Sequence, residues 1–172
     1  GVSQMQLSND NTTWSTPEVY ATSRTWTLSI GDGNKTLYVK YKDGADNWSI
    51  AYSDTIVLDT APPAGTIVIN GGATYTNNSS VTLTLSCSDS SGCSQMQFSN
   101  DNANWSAPES YASTKAWTLA TGGGTKTVYV KFKDGASNWS LLYSAAIFVD
   151  RVAPVTFISP LGGAYITAQI VI

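Results

Sequence analysis

The chain has 172 residues, 42% of them hydrophobic but only 12% charged, with a net charge of −3 and no histidine. A charged share about half the usual one leaves Ser, Thr, Asn and Gln to make the polar surface, and the weakly acidic balance offers no basic field to nucleic acid or an anionic membrane. The commonest general base and neutral metal ligand are missing, and no run approaches the roughly 18 apolar residues of a membrane span.

Gln4-Met-Gln-Leu7 alternates polar and apolar, which predicts a strand with Met5 and Leu7 on one face. Ser8-Asn-Asp-Asn11 ends it, because these side chains bond their own backbone and tolerate left-handed conformations. Trp14 follows the turn, and Pro17 to Ala21 reads as a short edge strand, where proline is tolerable. Thr25 to Ile30 alternates again, predicting a strand with Trp26, Leu28 and Ile30 turned one way and a hairpin turn at Gly31 to Asn34. Lys35 to Lys42 is the clearest strand, with Leu37, Val39 and Tyr41 inward and Tyr38, Lys40 and Lys42 outward. A loop from Asp43 to Ser49 and a strand from Tyr52 to Leu58 lead to Asp59-Thr-Ala-Pro-Pro63. The paired prolines fix φ, so this linker should hold successive modules at a semi-rigid angle.

Thr66 to Ile69, a turn at Asn70-Gly-Gly72 and an alternating strand from Val81 to Ser86 follow, with Val81, Leu83 and Leu85 as its apolar face. The chain then repeats itself. Ser94-Gln-Met-Gln-Phe-Ser-Asn-Asp matches Ser3-Gln-Met-Gln-Leu-Ser-Asn-Asp, and matched residues lie 91 positions apart (96 − 5 for the Met pair, 139 − 48 for a Trp pair). A residue present in both copies is first a property of the repeat unit. Val128, Val130 and Phe132 form the second inward set, and the linker returns as Asp150-Arg-Val-Ala-Pro154. Thr156-Phe-Ile-Ser, Leu161-Gly-Gly163 and Gln169-Ile-Val-Ile172 then begin a third unit.

Residues 64 to 150 hold about seven strand candidates and no helical pattern, the signature of a two-sheet Greek-key sandwich of immunoglobulin size. The expected organisation is all-β: residues 1–62 a partial repeat without its opening strands, 63–152 a complete repeat, and 153–172 the opening strands of a further one. With no initiator Met or signal peptide before Gly1, the chain reads as a segment of a longer precursor. Residues 1–62 cannot close a sandwich alone, and their open edge and uncovered face call for completion. A neighbouring copy could donate residues 153–172 head-to-tail; the alternative is a window on a longer array of equivalent units.

The run Ser94-Gln-Met-Gln-Phe-Ser-Asn-Asp, Trp105-Ser, Trp117-Thr-Leu, Lys126-Thr-Val-Tyr-Val-Lys-Phe-Lys, Asp134-Gly-Ala-Ser-Asn138-Trp-Ser, Asp150 and Pro154 resembles the tandem bacterial immunoglobulin-like (Ig/fibronectin-III-like) repeats of large secreted and cell-surface proteins. The resemblance covers the whole chain in both copies. It implies a β-sandwich scaffold used as spacer stalk, adhesin arm or extracellular fibre, with any binding set by sites grafted on the fold.

Cys87 and Cys93 enclose the turn-forming Ser-Asp-Ser-Ser-Gly, a span short enough for a local disulfide. Val2 stands where Cys93 does, so the bridge is a staple rather than a requirement of the fold. Trp14, Trp48, Trp105 and Trp139 lie at loops, where an indole can stack on a sugar or cap the end of a core; Trp26 and Trp117 read as core. Asp10, Asp101, Asp43, Asp134, Asp59 and Asp150 recur at turns and linkers. Turn aspartates need no metal, but Asp59 and Asp150, beside the linkers, are the candidate Ca²⁺ ligands. Asp101 and Glu109 are the one carboxylate pair for glycoside hydrolysis, with nothing fixing their separation. Asn11, Asn34, Asn47, Asn78, Asn104 and Asn138 fit the N-glycosylation acceptor pattern in a Ser-rich chain.

The reading is a non-catalytic, extracellular or cell-surface structural protein needing no cofactor: a tandem β-sandwich array forming a stalk, filament or adhesin arm. Its partners are neighbouring repeats or copies of itself, and a glycan or surface ligand. The alternative is a carbohydrate-binding module array attached to a secreted enzyme.

Overall fold

A computed structural model describes residues 1–155, and the third-unit strands expected within 156–172 lie outside the described residues. Among the described residues every regular element but one is a strand. Val2–Ser8 (β1), Glu18–Val19 (β2), Gly33–Asp43 (β3) and Tyr52–Leu58 (β4) form one antiparallel sheet in the order β2-β1-β3-β4. β1 and β3 pair Met5 with Tyr41 and Leu7 with Val39, so the inward residues of the alternating pattern stack on one face.

Beyond the linker come Ala64–Ile69 (β5), a single 3₁₀ turn at Asn70–Gly72, Tyr75–Thr76 (β6) and Ser80–Ser88 (β7). They are followed by Cys93–Ser99 (β8), Glu109–Ser110 (β9), Thr114–Thr118 (β10), Gly124–Asp134 (β11) and Tyr143–Val149 (β12). Two sheets result, of three strands (β10-β7-β5) and of five (β6-β12-β11-β8-β9). β6 crosses between them to pair parallel with β12.

The core lies between these sheets. β7 buries Val81, Leu83 and Leu85 and exposes the residues between them. They meet Met96, Phe98, Val128, Val130, Phe132, Ile147 and Val149 from the larger sheet, with Ile67 and Ile69 of β5 and Leu119 after β10. Period-2 alternation with one buried face is what a sandwich requires of each strand. Trp117 packs against Phe98 with ring centroids 5.4 Å apart, and Asn100 Oδ1 accepts its indole N–H at 2.9 Å. The core position therefore costs the indole no hydrogen bond.

One expectation is corrected here. Thr25 to Ile30 forms no strand, and Ile30 is 97% exposed. Its counterpart β10 is a strand because it pairs with β7, residue by residue from Thr114↔Thr84 to Thr118↔Ser80. Among the described residues the first unit has no equivalent of β7, so an identical alternation has no ladder to join.

Cys87 and Cys93 are bonded, with Cα atoms 6.2 Å apart, and the bridge links the end of β7 in one sheet to the start of β8 in the other. Closing so short a loop stabilises by about 2 kcal/mol in the chain-entropy account. Reduction should lower the unfolding free energy of the second unit by that amount, read from denaturant curves, without unfolding it, and leave amide exchange in residues 1–58 unchanged.

Candidate functional site

The residues with the most polar organisation gather where the linker meets the second unit. Asp134, at the end of β11, is buried, with Oδ1 accepting the Asn138 backbone N–H and Oδ2 its side-chain amide, both at 2.8 Å. The same amide reaches the linker, donating to the carbonyls of Asp59 at 3.1 Å and Ala61 at 3.4 Å. Ser90 Oγ donates to Asp59 Oδ2 at 3.3 Å from the turn between β7 and β8. From the other side, Asp32 Oδ1 accepts from both the backbone N–H of Thr60 at 3.1 Å and its hydroxyl at 2.8 Å. Consecutive linker residues are thus bonded to the turn before β3 in one unit and to two loops of the next.

Carboxylate oxygens of Asp59, Asp89 and Asp134 lie within 4.8 Å of one another at this corner. Asp59 thus gains two acidic neighbours, whereas Asp150 joins no such group among the described residues and accepts the Val152 N–H at 2.9 Å. The three carboxylates are already held by the protein's own donors: Asn138 on Asp134, Ser91 on Asp89, and Ala61 and Ser90 on Asp59. Sequence reasoning missed Asp89 and the linker role of Asn138. The Asp-x3-Asn spacing, present at both Asp43/Asn47 and Asp134/Asn138, was the available signal.

The four loop tryptophans lie on the outward faces of the sheets. Lys40 Nζ sits 3.8 Å from the Trp14 ring centroid and Lys131 Nζ 4.8 Å from that of Trp105. Lys42 and Lys133 approach Trp48 and Trp139 at 5.9 and 5.8 Å. Such cation–π contacts hold the rings against the sheet, with a lysine already over the face a sugar would use. A shallow cleft of about 400 Å³ is lined by Asn9, Asp10, Thr13, Trp14, Ser15 and Trp26.

Of the acceptor-pattern asparagines, Asn11 takes φ +60° at its turn and Asn34 lies in β3. Asn47 and Asn104 donate to Asp43 and Asp101, Asn78 Oδ1 accepts the Ser80 N–H, and Asn138 is the linker clamp. The Glu109 carboxylate pairs with Lys115 at 2.6 Å, while the Asp101 carboxylate is taken up by its own turn.

Four turn aspartates titrate below the usual carboxylate range. The N–H groups of Thr13 and Thr12 and the Ser8 hydroxyl hold Asp10 there, and the Asn104 side chain and backbone with Ala103 and Ser99 hold Asp101. Asp43 is lowered by the Asn47 backbone and amide and then Ala45, and Asp59 by the Ser91 hydroxyl and then Ala61 and Ser90. A group with a depressed folded pKa contributes stability that is complete above its unfolded value, near pH 4, and is lost as pH falls through the folded value. Melting temperatures should hold level from about pH 8 to 5 and fall below about pH 4. A melt unchanged at strongly acid pH would remove these turns from the stability of the fold.

Among solved structures, the chain is similar to the fibronectin(III)-like modules of CbhA from Clostridium thermocellum, at 19% identity and a TM-score of 0.51, over 86% of this chain and 78% of that one. The fold is that of fibronectin(III)-like modules. This agrees with the Ig/fibronectin-III-like resemblance of the repeats and with the all-β sandwich expected from the alternation. The chain is also similar to the tetra-tandem repeat in the extending region of a large adhesion protein, at 15% identity and a TM-score of 0.41, and spans 43% of that chain. No protein-family model and no curated protein matches the sequence. No helix among the described residues is long and apolar enough to cross a membrane.

Proposed function

We propose that this chain is a non-catalytic stretch of a tandem Ig-like array whose work is to hold distance outside the cell, as a surface stalk, filament or adhesin arm. The observation that supports it most is the doubly bonded linker, in which Thr60 is tied to Asp32 behind it while Asp59 and Ala61 are tied to Asn138 ahead of it. A tether needs no such bonds; a strut does. Each is worth about 1 kcal/mol, and with φ fixed at Pro62 and Pro63 bending requires several to break together. Tandem recurrence of Asp59-Thr-Ala-Pro-Pro63 as Asp150-Arg-Val-Ala-Pro154 fits a unit built for repetition. A disulfide between Cys87 and Cys93 fits an oxidising, extracellular setting.

Spin labels at the exposed Ser53 and Ser144 test this. The inter-label distance distribution should be narrow, and should widen on Asp32→Ala or Asn138→Ala with both units still folded. A distribution already broad in the unaltered chain would overturn the strut reading.

The cleft between Trp14 and Trp26, with Asn9, Asp10 and Ser15 as polar neighbours, favours one second reading, a carbohydrate-binding array attached to a secreted enzyme. Binding on a glycan array that disappears with Trp14→Ala, the fold intact, would promote it over the first.

A further inference from the structure

The outward face of the β9-β8-β11-β12 sheet carries a side-chain pattern that neither the core nor the linker uses. Strand parity buries Met96, Phe98, Val130 and Phe132 and turns Gln95, Gln97, Lys131 and Lys133 the other way. The ladder sets Gln97 opposite Lys131 and Gln95 opposite Lys133, so two glutamine and lysine rows lie side by side, about 7 Å apart along the strand. An indole closes each row. Trp139 bridges antiparallel to Lys133, which puts both side chains on one face with the ammonium 5.8 Å from the ring centroid. The bond from the Ser106 N–H to the Phe98 carbonyl brings Trp105 alongside, and Lys131 Nζ lies 4.8 Å from its ring.

The chain as a whole is acidic, at −3, but this face is not. Among the described residues the outward positions of β8, β11 and β12 carry no Asp or Glu, and Lys131 and Lys133 form no ion pair. Asp89, Asp101, Glu109 and Asp134 are bonded instead to Ser91, Asn104, Lys115 and Asn138. The first unit repeats the rows with Gln4, Gln6, Lys40, Lys42, Trp14 and Trp48, yet differs in charge. There Asp46 pairs with Lys42, and Gln6 Nε2 donates to the Ser15 carbonyl at 2.6 Å. Ser137 stands where Asp46 does (137 − 91), which leaves Lys133 without that carboxylate.

We propose that this face of the second unit binds an acidic polysaccharide, a chain of sugars bearing carboxylates, through Lys131 and Lys133, with Gln95 and Gln97 bonding the sugar hydroxyls. Each indole holds its lysine in place, so less side-chain freedom is lost when an anion arrives. The same contact selects charge: a neutral sugar must displace the ammonium to stack on the ring, whereas a carboxylate meets it where it stands. β8 and β11 both lie inside the sheet, so an acidic peptide finds no free edge to extend. Recognition falls to ammonium, amide and indole groups. Two lysines on an acidic chain make too weak a field for nucleic acid. The face is separate from the cleft between Trp14 and Trp26, and the inference does not depend on the strut reading.

The test titrates the full chain with polygalacturonate, by calorimetry for affinity and by amide NMR for location. Shifts should centre on Gln95, Gln97, Lys131 and Lys133, and binding should weaken at least about tenfold when salt rises from about 20 to 200 mM. Lys131→Gln and Lys133→Gln should each weaken binding about tenfold with the melting temperature unchanged. Ser137→Asp, which gives Lys133 the partner that Lys42 has, should weaken it about threefold. The backbone already suits that change, since Ser137 has φ +81° and Asp46 +70°. The methyl ester of the same polymer keeps the sugars, removes the charge and should not bind. Ester bound as tightly as acid would make the ligand a neutral sugar, and polyglutamate bound as tightly would make it an acidic protein; either result overturns the inference. So would the absence of polygalacturonate binding, shifts centred in the first unit, or full affinity in a chain carrying both lysine changes. None of these outcomes touches the linker distances that test the strut reading.

Discussion

Replacing Phe132 with Ala should cost the second unit about 3–5 kcal/mol, a large fraction of the roughly 5–15 kcal/mol that holds a typical domain together. Phe132 is fully buried, packs against Tyr111 and Tyr143 at centroid distances of 6.0 and 6.1 Å, and fills the space beside Gly65 in the facing sheet. Removing it leaves a cavity between two sheets whose backbones are fixed by their own ladders, so collapse can recover little. Tyr41→Ala, the matched change in the first unit, removes a ring that is only half-buried and should cost less than half as much. Hydrogen exchange resolved by unit, across a denaturant series, separates the two. Equal losses would mean that burial in the second core does not set the difference.

Gly65→Ala should be the second severe change. A Cβ built there would lie 2.4 Å from Phe132 Cε2 and 2.7 Å from the Ser86 carbonyl oxygen, closer than atoms approach. Either the ring leaves its rotamer or β5 lifts from β7, and overpacking of this kind costs about 1–3 kcal/mol. Because Gly65 and Phe132 contend for the same volume, the two changes should not add. In a Phe132→Ala background Gly65→Ala should cost less by at least about 1 kcal/mol. Additivity would place the clash against Ser86 alone.

How far the sequence carried this fold depends on what each feature needed. Strands β1, β7, β8 and β11 were legible because one face is buried against apolar side chains and a period of two survives in the residues, and β3 carries the same period of two although its residues are only partly buried. The segment from Thr25 to Ile30 was not, since its alternation is as good as that of β10 and the difference lies in a partner strand. β6 pairs only Tyr75 and Thr76 with β12, too short for any periodicity. At the linker, the aspartates and prolines could be read, but the joining of Asp59, Asp89 and Asp134 could not. Those residues lie 30 and 45 positions apart (89 − 59, 134 − 89), and only the sandwich topology brings their loops to one corner. Asn138 showed itself as a glycosylation pattern, while its amide serves Asp134 and the linker carbonyls.

The linker bonds make the strut claim quantitative. If Asp32 and Asn138 hold the junction at one angle, concatenating residues 59–149 with Gly123→Asp, which restores a carboxylate at the position matching Asp32 (123 − 91), should add a constant length per unit. Small-angle scattering of chains carrying two, four and eight such units decides the matter: maximum dimension rising in proportion to the number of units is the predicted result, and growth with its square root, as for freely jointed beads, would contradict the account.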